Sequence, residues 1–450
     1  MSAHTIEQAG DLERWLREAQ VRFLRLGWVD SAGVLRTEAV SSARAAALSA
    51  EGLGVVSGVQ ALPVFADAVQ PGLGIGAIGQ VWLRPDLGTL RVLPWQPTHA
   101  ATLGAFVTRD GSPWPFCPRT ALLRAVARLE RAGFTLQAAF EHEFLLLRRR
   151  DGGLQHFEES HYASAHGLNR AGPVLDAIAA ALEAQGVPVR TMLKEAGLSQ
   201  FELSTDHGAP LVAADRFVVV RETINAVAAQ HDLVGTCLPL VFADEAGSGW
   251  HIHFSLWHDG ENLTGSRADD ALGPESRAFV GGIHAHLPAL LALTTPTPNS
   301  FRRQRPGTWS GVYRVWGYDH KEAPLRVPTE RRGAPTNVEL KASDASANPY
   351  LALTGLIAAG LDGIERGLDL PPPVDFDPGQ LSDAERAARG IERLPATLDA
   401  ALAALAADPV LLAALGDDLA RAYLAVKRAE SAALGGLSLA DEVARLVEAY

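Results

Sequence analysis

Cysteine is nearly absent: Cys117 and Cys237 are the only two in 450 residues. That excludes a disulfide framework and a cysteine-based zinc ribbon. Long apolar runs are missing too. Leu287–Leu293 and Leu411–Leu415, the longest candidates, fall well short of the ~18 residues that span a bilayer. There is no basic excess either, since 40 Lys+Arg against 52 Asp+Glu leave a net charge of −12. Nucleic acid and anionic membrane surfaces are therefore not expected partners. The first ten residues show no basic stretch leading into an apolar run, so a cytoplasmic location is expected, without a secretory signal. Lysine is the scarcest charged residue, at Lys194, Lys321, Lys341 and Lys427 only.

What is present can build a large core. Hydrophobic residues make up 47% and charged residues 20%, a folding composition with length enough for two or three domains. Val21–Leu26 alternates apolar and basic residues, and the turn Asp30-Ser31-Ala32-Gly33 leads into Val34–Val40, a hairpin pattern. Ser41–Ala50 reads as a helix, and Val81–Arg84 and Thr89–Leu93 as a second strand pair. The turn-dense segment Asp110–Pro115 marks a boundary. Beyond it, Pro118 introduces a helix over Arg119–Ala132 that Gly133 ends. Short strands then alternate with helices, including Val174–Gln185 and Phe217–His231, and an Ala-rich helical tail begins near Leu381.

Gly74-Ile75-Gly76-Ala77-Ile78-Gly79 spells GxGxxG but runs into the strand-like Gln80–Pro85 instead of opening a helix. It lacks the strand–turn–helix setting of a dinucleotide site and is expected to be a loop. The informative pattern is acidic residues on apolar strands. Glu141 and Glu143 share one strand face, Glu195 and Glu202 flank a Gly-containing turn, and Glu339 and Lys341 share another face. In Gly249–Leu256, His251, His253 and Ser255 alternate against an apolar face of Trp250, Ile252, Phe254 and Leu256. Five buried carboxylates together require cations. A set of oxygens with one imidazole suits Mg²⁺ or Mn²⁺. Arg302, Arg303, Arg305, Lys321 and Arg326 gather in the same half. Metals with clustered Arg and Lys point to phosphoryl chemistry, yet no Walker A or kinase glycine loop is present.

Together, Glu141-x-Glu143, Glu195-x-Gly197-x-x-Gln200-x-Glu202, Gly249-x-His251-x-His253-x-Ser255, Asn299-Ser300-Phe301-x-Arg303 and Glu339 through Ala347-Asn348-Pro349-Tyr350 resemble the glutamine synthetase family. Gly307–Tyr313 through Arg326 is most similar to its FluG/nodulin-type branch. The resemblance implies an α+β fold. An N-terminal β-grasp domain would span 1–112, and a catalytic domain over 113–450 would carry an antiparallel, incomplete barrel flanked by helices. It implies a homo-oligomer, a hexameric ring or stacked dodecamer, with sites shared between neighbours. One metal site would be Glu143, Glu195 and Glu202, and the other Glu141, His251 and Glu339. His253 and Ser255 would contact ATP, with Lys321 and Arg326 on its phosphates. Gly247, Arg303, Trp309 and Lys341 would face L-glutamate and the amine, and Arg303, Arg326 and Lys321 would be catalytic.

The departures from the family pattern are specific. Trp309 stands where glutamine-forming members carry a flap glutamate, and Ser57-Gly58 is the nearest match to an N-terminal aspartate. Those two acids bind ammonium and take its proton. Lys321, Asn337 and Lys341 replace arginines, and Ala246 replaces an asparagine. The first expectation is an ATP-dependent ligase that joins the glutamate γ-carboxylate to an amine other than ammonia. The alternatives are a glutamine synthetase proper and a catalytically lapsed ring-forming scaffold.

Overall fold

A computed structural model describes residues 9–65, 68–150, 153–266, 271–331 and 333–450. The first sheet contains β1 (Phe23–Val29), β2 (Leu35–Ser41), β3 (Leu53–Val56), β4 (Gln80–Pro85), β5 (Arg91–Val92) and β6 (His99–Val107). Its order is β2-β1-β6-β4-β3, with β5 on β6. The expected first hairpin is present, Leu24 facing Val40 and Trp28 facing Arg36. The expected second pair is not: both its segments pair with β6 instead. Both lie along the edge of β6 opposite β1, and the nearly continuous apolar character of β6 hides its register. The GxGxxG segment is a run of turns and bends that leads directly into β4.

The second sheet has ten strands: β7 (Thr135–Arg150), β8 (Gly153–His156), β9 (Val189–Lys194), β10 (Gln200–Thr205), β11 (Val234–Thr236), β12 (Trp250–His258), β13 (Glu261–Asn262), β14 (Trp316–Tyr318), β15 (Leu325–Val327) and β16 (Val338–Leu340). Its path is β14-β15-β16-β12-β7-β10-β9, a curled half-barrel in which the long β7 is central. Only β14–β15 on this path is parallel. One face is apolar. Phe140 stacks on Trp250 at 4.4 Å between ring centroids, and Phe217 of the helix Pro210–Gln230 packs at 4.5 Å from the same indole. Helices Pro274–Thr294 and Pro349–Arg366 close this core. Each large apolar side chain buried there contributes about 1.5–3 kcal/mol. A one-residue slip would send the acids into the core, so this burial fixes which face carries them.

The helices Pro118–Arg131, Ala165–Ala184 and Pro210–Gln230 cover the expected segments, the last two starting seven or more residues earlier than the sequence pattern indicates. Proline explains part of this. Pro210 occupies a first-turn position where its missing N–H costs nothing, whereas Pro173 is accommodated within its helix. Among the described residues, no single helix is long and apolar enough to cross a membrane.

His286 ties three of these elements together. Its Nδ1 meets Asp408 Oδ2 at 2.6 Å and its Nε2 meets Asp362 Oδ2 at 3.0 Å. Asp408 also caps the helix Pro409–Leu415, and Arg366 approaches Asp362. The Asp408 hydrogen bond, aided by Asp362 and opposed by burial, raises the His286 pKa. A raised folded-state pKa gives stability that is complete below the unfolded value, about 6.5, and lost as pH rises through the folded value. The melting-temperature deficit of His286→Ala is therefore expected to be largest below the unfolded value of about 6.5 and to shrink as pH rises above it. A pH-independent deficit, measured by thermal scans, would show that packing alone carries the contact.

Candidate active site

The acidic face is assembled by register. On β7, Glu141 and Glu143 point the same way because they are two apart. Antiparallel pairing places His251 of β12 opposite Glu141, and Glu202 of β10 opposite Glu143. On the far side of β12, His253 faces Glu339 of β16, and Glu339 faces Arg326 of β15. Glu195 comes from the turn between β9 and β10, as the Gly-containing segment suggested. The buried Lys194 fixes that turn, its Nζ donating to the Glu195 and Gly197 carbonyls at 2.8 and 2.7 Å. The six expected acidic and imidazole residues are neighbours on this face: His251 lies within 4 Å of Glu141, Glu143 and Glu339, and the Glu202 carboxyl feels the charges of Glu141, Glu143, Glu195 and Glu339.

Their charges are balanced unevenly. His251 Nδ1 lies 2.9 Å from Glu141 Oε2, and His253 Nε2 lies 3.1 Å from Glu141 Oε1. Burial alone would raise Glu141, but these two imidazoles outweigh it and hold the carboxyl well below its usual range. Glu339, also pushed up by burial, is brought down to about 2 by Lys341, His251 and His253. His253 would be lowered by burial, yet its bond to Glu141 raises it to about 8. Glu195 and Glu202 have no such partners. Burial and the neighbouring carboxylates push them up to about 7 and about 9. Carboxyls forced to hold protons against their neighbours fit a site that receives cations.

The donor geometry fits divalent ions as well. Ligand atoms within 4.8 Å of one another form two sets, Glu141/Glu202/His251 and Glu141/His253/Glu339. The sets differ from the three-and-three division expected from sequence: Glu141 belongs to both and His253 joins the second. Glu143 is held elsewhere, accepting from Gly249 N at 2.7 Å and Gln200 Nε2 at 3.3 Å. Glu339 Oε1 is buried without a hydrogen-bond partner among the described residues.

The cations expected from sequence divide into two groups. Arg326 Nη1 bonds Glu339 Oε2 at 2.8 Å, and Lys341 Nζ lies 3.5 Å from Glu339 Oε1. Arg303 is buried, with Nη1 donating to the Ser343 carbonyl at 3.1 Å. Gly247 packs against its stem and Gly249 against its guanidinium, so closely that added Cβ atoms would lie 2.6 and 2.5 Å away. Arg302 and Arg305 turn away, to Glu442 and to the carbonyls of Ala243 and Glu245. Lys321 is exposed on the 319–323 turn. Trp309 is 53% exposed, and its backbone N–H donates to Glu322 at 2.9 Å. Ser57 is buried, its hydroxyl held by the Gly76–Ile78 backbone.

Gln200, quoted from the sequence only as part of a motif and given no role, packs among these residues. Its Nε2 donates to Glu143, to the Gly247 carbonyl and to Ser248 Oγ, and its Oε1 accepts from Gly197 N. It lies two residues before Glu202, so the same period-two rule places it on the acidic face. Beside the cluster is a cavity of about 360 Å³, lined by Glu141, His253, Ser255, Trp257, Arg190 and Asn337 among others. His253 Nδ1 faces Asn337 Oδ1 there at 2.8 Å.

Residues 115–444 match the family described as glutamine synthetase, catalytic domain. The gamma-glutamylpolyamine synthetase GlnA3 of Streptomyces coelicolor is 40% identical, over 96% of this chain and 94% of its own. Type-1 glutamine synthetase 1 of Dictyostelium discoideum is 33% identical, over 96% and 91%. A solved GmaS–ADP complex superposes with a TM-score of 0.85 at 30% identity, covering 96% of this chain and 98% of that one. By sequence and by fold, the chain belongs to the glutamine synthetase family.

Proposed function

We propose that this protein is an ATP-dependent ligase that phosphorylates the γ-carboxylate of L-glutamate and transfers the acyl group to an amine other than ammonia. One observation carries the reading. A complete carboxylate–imidazole cluster adjoins Arg303, Arg326 and Lys341, while an indole occupies the place of the ammonium-binding acid. The similarity to a polyamine-using synthetase supports it, as does the likeness to the GmaS–ADP complex. Glu141, Glu143, Glu195, Glu202, His251 and Glu339 would hold two or more Mg²⁺ or Mn²⁺ ions, with His253 close enough to join them. Those ions would neutralise the transferring phosphoryl oxygens.

The nucleotide is assigned to the cavity lined by His253 and Ser255, and glutamate to the space between Gly247, Arg303 and Lys341. A γ-carboxylate oxygen attacks the terminal phosphorus of ATP, the bond to the bridging oxygen breaks, and ADP leaves. Arg326 and Lys341 gather the charge that develops. A neutral amine then attacks the acyl carbon, inorganic phosphate leaves, and the nitrogen loses a proton. Lys321, exposed on its turn, is the further cation assigned to the phosphates. An N-terminal domain to residue 112, a catalytic domain from 113 and a ring-shaped homo-oligomer complete the proposal.

ATP hydrolysis measured with glutamate and a panel of amines tests it. Amine-dependent turnover supports the ligase, ammonia as the best substrate supports a glutamine synthetase proper, and silence supports a lapsed scaffold. Ammonium is small and strongly hydrated, and gains little from the apolar face of Trp309. An alkylamine can bury carbon there, at about 25 cal/mol per Å². Trp309→Glu is accordingly expected to raise ammonia turnover relative to alkylamine turnover by about tenfold, the value of one added charge-assisted contact. An unchanged ratio would mean that Trp309 does not face the amine.

A further inference from the structure

Outside the acidic cleft, Trp309 forms one wall of a second cavity of about 530 Å³. Ala196, Asp244, Glu245, Ala246 and Arg305 also line it. Two of its walls connect directly to the cluster. Ala196 follows Glu195, and its backbone N–H donates to that carboxylate at 2.9 Å. Ala246 precedes Gly247-Ser248-Gly249, the loop that binds Gln200 and Glu143. Three residues span at most about 10 Å, so the cavity lies within a short aliphatic chain's length of the carboxylates of the cluster.

Its chemistry is divided. The indole of Trp309 and the methyls of Ala196 and Ala246 provide an apolar stretch, flanked by two acids. Asp244 is exposed and makes no hydrogen bond or ion pair among the described residues. Glu245 contacts His156 Nε2 through Oε1 at 2.8 Å, while its Oε2 is buried without a hydrogen-bond partner among the described residues. Arg305 forms no ion pair with either side chain, its guanidinium being bonded to the Ala243 and Glu245 carbonyls at 2.9 Å, so its charge is in the wall and not on the carboxylates. A buried, unpartnered carboxylate oxygen costs free energy until a donor reaches it. An aromatic face beside carboxylates is also a favourable place for an ammonium group.

We propose that this cavity is a subsite for the second, non-reacting ammonium of a diamine or polyamine, with Asp244 and Glu245 as its counter-charges and Trp309 as the wall for its methylenes. The inference rests on the ligase reading above and names its acceptor class. The nitrogen that attacks the acyl phosphate must be neutral, so the recognition charge has to sit at the far end of the molecule. A monoamine of equal length would fill the apolar stretch and leave Asp244 and the second oxygen of Glu245 unanswered.

Putrescine and n-butylamine, which share a carbon chain and differ in the distal amine, are the probes. With the intact protein, glutamate and ATP, kcat/KM for putrescine is expected to exceed that for n-butylamine by about tenfold or more. Asp244→Asn and Glu245→Gln should each lower that ratio several-fold, and the double variant should bring it near unity. Asp244 is exposed, so its variant tests the subsite without risk to folding. Equal use of the two amines by the unaltered protein, or a ratio indifferent to the double substitution, overturns the proposal. If no amine promotes ATP consumption, the ligase reading alone has failed. Calorimetry then decides the subsite: putrescine binding that weakens in Asp244→Asn upholds it, and equal affinity for both amines refutes it.

Discussion

Replacing Glu339 with alanine is expected to lower nucleotide-dependent turnover on the order of a thousandfold while leaving the fold intact. Glu339 joins the imidazole side of the site to its cationic side. It faces His253 across one ladder and Arg326 across the other, with Lys341 at 3.5 Å. With its pKa brought down to about 2, it is ionised throughout the working range. Its loss removes a ligand from the Glu141/His253/Glu339 set and leaves Arg326 and Lys341 with no charge between them. Breaking a buried charge pair from one side costs more than the pair is worth, because the remaining charges stay desolvated. Glu339→Gln keeps the shape and loses the charge, so it should fall almost as far. Circular dichroism and Mn²⁺ titration separate the causes. A native spectrum with weakened Mn²⁺ binding and lost turnover supports the assignment, and turnover within tenfold of the parent sinks it.

The acidic face was readable because strands alternate and its residues recur every second position. Glu141/Glu143, His251/His253/Ser255 and Glu339/Lys341 needed only that rule. The pairing between strands was not readable. That Glu202 meets Glu143 and His253 meets Glu339 depends on registers set by contacts more than fifty residues apart in sequence. For the same reason Gln200, part of a quoted motif, was given no role, although it shares the face of Glu202. His142 shows the converse. It lies between Glu141 and Glu143 but points into the core, stacked on Phe217 at 5.7 Å, where burial lowers it to about 3.

Elsewhere the limits were of other kinds. The helix Pro274–Thr294 is apolar on nearly every side, so it has no polar stripe to mark its period. Arg302, Arg303 and Arg305 looked equivalent as a basic run, yet one helical turn sends them to three different places. Asp244 and Glu245 attracted no attention because a loop has no period to make two acids conspicuous.

Gly249→Ala carries the second large expected effect, and its origin is purely steric. The backbone of Gly249 is not in the left-handed region, so alanine is conformationally admissible there. The obstacle is space. A Cβ would lie 2.5 Å from Arg303 Nη2, 2.7 Å from His251 Nε2 and 3.2 Å from Glu143 Oε1. None of the three can easily retreat. Arg303 is tethered to the Ser343 carbonyl and walled in by Gly247, and His251 is held at 2.9 Å by Glu141. Glu143 accepts from the N–H of Gly249 itself. One methyl group must therefore displace the arginine assigned to glutamate, an imidazole of the metal cluster, or both. Misplacement near 1 Å costs about a hundredfold in rate, and kcat/KM for glutamate should fall by that amount. The overpacking should cost only about 1–3 kcal/mol of stability. Gly436→Ala is the control, since its Cβ would meet no atom within 4 Å. If Gly249→Ala and Gly436→Ala prove kinetically alike, neither Arg303 nor His251 is held where glutamate and the metals are assigned.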